Sequence, residues 1–379
     1  MSTTRVGINL LWLVPGVVGG SEEYTTRLLA AMADEHADDL ELTLFVNSTF
    51  ATVYAELLDR FDHEVGPVTG RRKPLRVASE TSWLAWQSRR RRTDLMHHMG
   101  GIMPPWRPSA TVLTIHDLQP LSMPGYFSPS KRAFSAFVIP RSVRAAGHIV
   151  TLTEFTKFDL VNRLDVAPDH ITVVPPGFDL PPAEGHEGAS RRVRDAYGLG
   201  DRPFFLHPAI TYPHKNHLML LRAFARVVRS HPEALLVLTG GEAQMEADVR
   251  ATIDTLDIGR SVRRTGRIPA SDIDELYRAA SALTFPSLHE GFGLPVLEAM
   301  SRGCPVIAAD ATALPEVVDR AGLLVPASDP DRWSEAMARI LDEPELGASL
   351  VEAGHRRALH YDWTVTARVL ADVYRRGSV

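Results

Sequence analysis

Cysteine, long apolar runs and excess charge are all scarce in this chain. One cysteine, Cys304, among 379 residues excludes an internal disulfide framework. It stands in an apolar, strand-like stretch and reads as a small buried hydrophobe. No stretch is long and apolar enough to span a bilayer. The apolar run near the N-terminus is broken by Pro15 and several glycines and lacks a small-residue cleavage signal. No secretory peptide is therefore expected, and the cytoplasm is the expected compartment. Lysine and arginine number 41 against 46 aspartates and glutamates, and the formal net charge of −5 excludes a nucleic-acid binder with a uniformly basic surface. The G-x-G-x-x-G spacing of dinucleotide sites is missing. No D-x-D-like pair stands at a strand end, and His97-His98 lack a third ligand at a convincing spacing, so no metal site and no cofactor are expected.

What is present is ordinary for a globular protein, 45% hydrophobic and 23% charged residues, in a chain longer than one core usually fills. Two domains are expected. Strand-like and helix-like patterns alternate along both halves, the mark of α/β folds with parallel sheets. In the first half, residues 6–14, 40–46, 94–96, 111–115, 148–152 and 171–174 read as strands. The clearest helices there are 22–34, 129–145 and 154–164. Ser128 and Thr153 suit the caps of the last two, and Pro140 is expected to kink or break the first of that pair. The Pro/Gly/Glu-rich residues 181–190 read as a linker. In the second half, 202–209, 234–238, the region of Val262, 282–285, 305–309 and 322–325 read as strands, with three helices after Pro330.

The densest chemistry lies in residues 284–300. The strand ends at Pro286-Ser287, a glycine-broken loop follows, and a helix opens with Pro295 near its first position. Open parallel sheets bind ligands at such carboxyl ends. Gly291 and Gly293 permit close approach of backbone to a ligand, or simply serve a turn, and the N–H groups at the helix start favour an anion such as a diphosphate. Glu290 in the loop and Glu298 about one turn into the helix can reach one crevice. Elsewhere, Lys215 precedes the helix 218–230 and opposes its macrodipole, a conflict that a bound anion would remove. The strand 111–115 delivers His116-Asp117 to its carboxyl end, where the histidine can donate to a sugar hydroxyl or be a satisfied structural residue. Gly19-Gly20 lie in a strand-to-helix loop that either faces a ligand with a weak phosphate preference or is a tight turn only. Trp83 and Trp86 beside Arg89-Arg90-Arg91-Arg92 suit either an anionic membrane surface or an ordinary core helix with a cationic end.

The run Glu290-Gly-Phe-Gly-Leu-Pro-Val-Leu-Glu298-Ala-Met resembles the signature of glycosyltransferase family 4, retaining nucleotide-sugar-dependent enzymes of GT-B fold. The resemblance covers nearly the whole chain. It implies two Rossmann-like domains whose parallel sheets face a deep interdomain cleft. The N-terminal acceptor domain would be 1–180, the linker 181–190 and the nucleotide-sugar domain 191–362, with a final helix in 363–379 packing back on the first domain. It places Glu298 at the nucleotide ribose, Glu290 at the donor sugar, and Lys215 at the diphosphate. Gly240 and Gly241 would contact the nucleotide, and the base would meet backbone at Arg267-Ile268. Gly291, Phe292, Gly293 and Leu294 would complete the donor pocket, with Gly19 and Gly20 leaving room for the transferred sugar. The family often has an arginine six or so residues before the lysine; here Ala209 stands about there, and Thr211 or another group would have to compensate.

By this resemblance Lys215, Glu290 and His116 carry catalysis without metal, on a hexose moved from a nucleotide-diphosphate sugar. GDP-mannose is the donor favoured, with a saccharide or lipid-linked acceptor and a peripheral contact at the inner face of the membrane. Two rivals remain, a nucleotide-sugar epimerase and an inactive sugar-nucleotide sensor or assembly partner.

Overall fold

The computed structural model describes residues 3–377, except Val18, His36, Trp106, Pro108, residues 180–186 and the side chains of 187–189. The chain divides into two compact units, Met1–Asp179 with Tyr361–Val379, and Leu180–His360. Most expected elements form where the apolar patterning places them.

Among the described residues the first unit holds β1 (Thr4–Leu10), β2 (Leu40–Val46), β3 (Asp62–Val65), β4 (Leu95–His98), β5 (Ala110–Ile115), β6 (His148–Thr151) and β7 (Ile171–Val173). They form one parallel sheet in the order β3-β2-β1-β4-β5-β6-β7. Val6, Ile8 and Leu10 of β1 are fully buried, as a central strand covered on both faces requires. The second unit holds β8 (Phe204–Pro208), β9 (Leu235–Thr239), β10 (Val262–Gly266), β11 (Ala282–Phe285), β12 (Val306–Ala309) and β13 (Leu323–Val325), parallel in the order β10-β9-β8-β11-β12-β13. In each sheet the strand order reverses beside the first strand, at β1/β4 and at β8/β11. Ligand crevices form outside the carboxyl ends of strands at such switch points.

Four local expectations need correction. The first strand stops at Leu10, and Leu11, Leu13 and Val14 are buried in a turn instead. Asn47 makes this possible by donating its amide to Leu11 O at 3.3 Å and Leu13 O at 2.7 Å, and an apolar run alone does not distinguish strand from buried turn. His97 and His98 lie inside β4 rather than in a loop. His97 is fully buried between Tyr374 Oη and Thr114 Oγ1, each 2.7 Å away, and burial pushes its pKa down to about 3, so it is neutral and structural. Pro140 does not end its helix, which runs through Pro129–Ala145. The expected linker is already helical from residue 187, in Glu187–Ala196; its start lies outside the described residues.

The last helix, Trp363–Gly377, belongs to the first unit and packs on helix Gly20–Asp34 and on β1 and β5. Arg368 pairs with Glu35, and Arg375 with Asp39. At its start the Phe178 N–H donates to Tyr361 O at 3.0 Å, and the Gly177 Cα faces Trp363 so closely that a Cβ would sit 2.2 Å from the Trp363 nitrogen. Backbone cannot yield as a side-chain tip can. Gly177→Ala should therefore cost about 2 to 3 kcal/mol, read as a lowered urea midpoint, and an unchanged midpoint would show that the helix is not held there.

Candidate functional site

The strands at the second switch point, β8 and β11, are neighbours, and the two loops leaving their carboxyl ends are tied together. The turn after β8 runs through Pro213–Lys215 and places Asn216 in the left-handed region, φ 60°, which asparagine tolerates. From there Asn216 Nδ2 donates to Pro286 O at 3.1 Å and to Ala327 O at 2.7 Å. The Leu288 N–H donates to His214 O at 2.7 Å, and the Glu290 N–H to Thr312 Oγ1 at 3.0 Å. Lys215 Nζ then meets Glu290 Oε1 at 2.5 Å and lies 5.3 Å from the centre of the Phe285 ring.

This ion pair is largely withdrawn from water, with the Lys215 and Glu290 side chains 19% and 14% exposed. Burial works to raise the Glu290 pKa, but Lys215, through charge and hydrogen bond, outweighs it and holds the carboxyl below its ordinary value. Lys215 carries three donors, and one goes to Glu290. An anion arriving at the sheet edge would share the ammonium with Glu290. Behind the pair His207 and His217 are buried with ring centres 4.5 Å apart, and burial keeps both neutral, so neither adds charge to the site.

The second acid is held differently. Glu298 lies in helix Leu294–Ser301 and accepts at Oε2 from Tyr277 Oη at 2.8 Å. Burial raises the Tyr277 pKa well above the ordinary phenol, so Tyr277 stays a neutral donor that orients the carboxylate. Sequence reasoning missed Tyr277, Asn216 and Thr312, since contacts across elements leave no local pattern. Gly293 begins the helix at φ 101°, with Phe292 buried before it and Leu294 the first helical residue.

The region around the absent arginine is tightly closed. Ala209 is buried, and a Cβ on Gly240, at φ 117°, would sit 2.5 Å from Ala209 O. Gly240 is thus demanded by backbone approach between the ends of β8 and β9. Thr211 is buried and accepts from the Ala243 N–H at 2.7 Å, which ties its hydroxyl to the loop. Arg267, after β10, is exposed and lies against Gly241, with Ile268 half-buried beside it.

In the first unit Gly19 caps helix Gly20–Asp34 at φ 62°, with open space where its side chain would be. Glu22 and Glu23 put negative charge into the first turn, where it complements the helix dipole. Glu22 also accepts from the Gly16 N–H at 2.8 Å and from Tyr54 Oη at 2.6 Å, fixing the loop. His116 follows β5 directly. Its Nε2 lies 2.9 Å from Met99 O, and a carbonyl only accepts, so the proton sits on Nε2. Nδ1 is buried without a partner, the ring is edge-on to Tyr24, and burial lowers the pKa. The ring is therefore a neutral hydrogen-bond acceptor, the reverse of the polarity expected from its position. Asp117 accepts from the Gln119 N–H at 2.9 Å and holds the following turn. No group of three His, Cys, Asp or Glu side chains suited to a metal ion occurs among the described residues.

The Glu290 pair has a measurable pH signature. A carboxyl with a depressed folded pKa adds stability above its unfolded value, near 4.5, and loses it as pH falls through the folded value. Glu290→Gln should lower the melting temperature at neutral pH by leaving the Lys215 ammonium unpaired. The gap from the unsubstituted protein should narrow below pH 4.5, where Glu290 takes up its proton. A gap that stays constant down the acid limb would show that the pair contributes nothing.

Comparison with known proteins agrees with this architecture. A family model described as glycosyl transferases group 1 matches residues 190–357, and one described as glycosyltransferase family 4 matches 18–181. A D-inositol 3-phosphate glycosyltransferase of Saccharomonospora viridis is 34% identical over 249 residues, 62% of this chain and 56% of that protein. The match thus spans about half the length of that relative. O-antigen chain mannosyltransferase B of Escherichia coli is 26% identical over 360 residues, 92% of each chain. Among solved structures, HepE of Anabaena in complex with UDP and glucose aligns with a TM-score of 0.75 at 19% identity, over 98% of this chain and 100% of that one. Sucrose-phosphate synthase of Thermosynechococcus elongatus aligns with 0.79 at 19%, over 98% of each. With both family models matched in sequence order and both sheets built in the Rossmann manner, the chain belongs to glycosyltransferase family 4 and has the GT-B fold.

Proposed function

We propose that this protein is a retaining, metal-independent hexosyltransferase that moves a sugar from a nucleotide-diphosphate donor to a hydroxyl of a saccharide or lipid-linked acceptor. The observation that carries this reading is the Lys215–Glu290 pair where the loops after β8 and β11 meet. A buried ammonium there stabilises the departing diphosphate, the electrostatic share of catalysis that a metal ion supplies elsewhere. In this reading the acceptor oxygen attacks the anomeric carbon from the face the nucleotide leaves. The bond from that carbon to the diphosphate oxygen breaks, and the same oxygen takes the acceptor proton. Glu290 orients the donor sugar, Glu298 the ribose, and His116 accepts from a sugar hydroxyl through Nδ1.

GDP-mannose is the donor favoured, and the likeness to an O-antigen chain mannosyltransferase over 92% of both chains supports it. The likeness to HepE, solved with UDP and glucose, makes a UDP-sugar the first competitor. Peripheral contact with an anionic membrane belongs to the same reading, at exposed Trp86 with exposed Arg89, Arg90 and Arg92. Trp83 packs edge-on against Phe45, Arg91 pairs with Glu64 at 2.7 Å, and Arg90 lies over Trp86. Of the four arginines, Arg91 is the one drawn closest to acids, Glu64 and Asp62. No helix among the described residues is long and apolar enough to cross a membrane. Ala209, in place of a second cation, is the feature that favours an inactive sugar-nucleotide sensor instead.

Calorimetry with GDP-mannose, UDP-glucose and dTDP-rhamnose, followed by NMR of the product, tests the reading. One donor should bind selectively and the anomeric configuration should be kept. Binding without turnover would favour the sensor, and an inverted product would overturn the mechanism. Turnover should survive exhaustive EDTA treatment, and strict dependence on added Mg²⁺ or Mn²⁺ would remove Lys215 from its role. His116→Ala should lower turnover about tenfold to a hundredfold with nucleotide affinity unchanged; full turnover would leave the ring a structural part of the loop.

A further inference from the structure

Helices Ala270–Ala279 and Leu294–Ser301 flank β11, and each descends from the carboxyl edge of the second sheet, as crossovers between parallel strands do. Side chains on a helix tilt toward its N-terminus, so residues of both helices lean back toward that edge. Helix Leu294–Ser301 is apolar around one exception. Val296, Leu297, Ala299 and Met300 are buried, and Glu298, half-buried, is its only charged residue. The donor that meets this carboxylate comes from the other helix, where Tyr277 Oη lies 2.8 Å from Glu298 Oε2.

Glu298 is anchored at both ends. Tyr277 is 1% exposed, so packing fixes its ring and with it the position of the hydroxyl. Arg302 holds the backbone: its Nη1 donates to Glu298 O at 3.1 Å, its Nη2 pairs with Asp274 at 2.6 Å, and its guanidinium stands 5.7 Å from the centre of the Tyr277 ring. A glutamate side chain has several bonds to turn about, and here that freedom is lost on folding rather than on binding. A carboxylate offers about four lone-pair positions, so one phenol bond sets its plane without exhausting it. A plane so fixed suits two neighbouring hydroxyls side by side. A carboxylate free to turn would serve a single hydroxyl equally well.

We propose that Tyr277 is a positioning residue that locks Glu298 as a receptor for the 2′,3′-diol of a ribose, so that this protein takes ribonucleoside-diphosphate sugars and discriminates against 2′-deoxyribonucleotide sugars. The proposal rests on the reading that puts Glu298 at the nucleotide ribose. A site built to bond a hydroxyl rejects the analogue that lacks it, because a carboxylate partly withdrawn from water is then left short of a donor. Sugars carried on dTDP are thereby excluded as preferred donors, and those carried on GDP or UDP remain.

Calorimetry of the full chain with GDP and 2′-deoxy-GDP, and with UDP and 2′-deoxy-UDP, tests it. For the base that binds, the unsubstituted protein should prefer the ribonucleotide about tenfold or more. Tyr277→Phe keeps the ring and removes only the hydroxyl. It should weaken the ribonucleotide about tenfold and bring the preference to within about threefold, since the carboxylate is then free to turn. Loss of packing alone would lower the melting temperature and scale both affinities together, and that result would overturn the proposal. Glu298→Gln reports on the underlying reading and should abolish the preference too. If it leaves affinity and preference unchanged, Glu298 is not at the ribose, and the reading falls with the proposal. If Glu298→Gln abolishes the preference and Tyr277→Phe keeps it, the reading stands and Tyr277 is only part of the core. An unsubstituted protein that binds ribonucleotide and deoxyribonucleotide equally, or neither, overturns the proposal as well.

Discussion

A buried carboxylate next to a buried ammonium is the constraint around which the second unit is arranged. Neither Lys215 nor Glu290 is stable alone where it lies, because each is largely removed from water. Each therefore depends on the other being delivered to within hydrogen-bond distance, and three further bonds see to that. Asn216 to Pro286, Leu288 to His214 and Glu290 to Thr312 lash the loops after β8, β11 and β12 into one piece. The strand order supplies the reason they meet, since β11 crosses over to lie beside β8 and turns the carboxyl edge into a crevice. A charge held so firmly needs little reorganisation when an anion arrives beside it.

The missing second cation is consistent with this tightness. Gly240 stands so close to the Ala209 backbone that a side chain added at Gly240 would force the strand ends apart.

The first unit is organised by neutral polarity. His97, His116 and Tyr374 are buried and uncharged, and Glu22 is absorbed by its own loop. Helix Pro129–Ala145 carries four cations and no acidic residue of its own, and Asp117 draws on Lys131 from outside it.

Local patterning determined a great deal. Strand 40–46 and helices 129–145 and 154–164 lie where runs of apolar residues and the caps Ser128 and Thr153 put them, because those signals act between residues close in the chain. The spacing of Glu290 and Glu298, and Lys215 before a helix, already pointed to a donor site. What patterning could not show were facts about distant residues in contact. In β4 the buried His97 is satisfied by Tyr374, some 277 residues away, and the buried His98 by Asn9. The left-handed Asn216, the Tyr277 bond to Glu298 and the acceptor polarity of His116 likewise depend on partners from other elements. The sequence alone determined which elements form and where along the chain the candidate site side chains stand. Only the tertiary structure decided which of them are charged, paired or facing outward, because burial and hydrogen bonding to remote groups set those states.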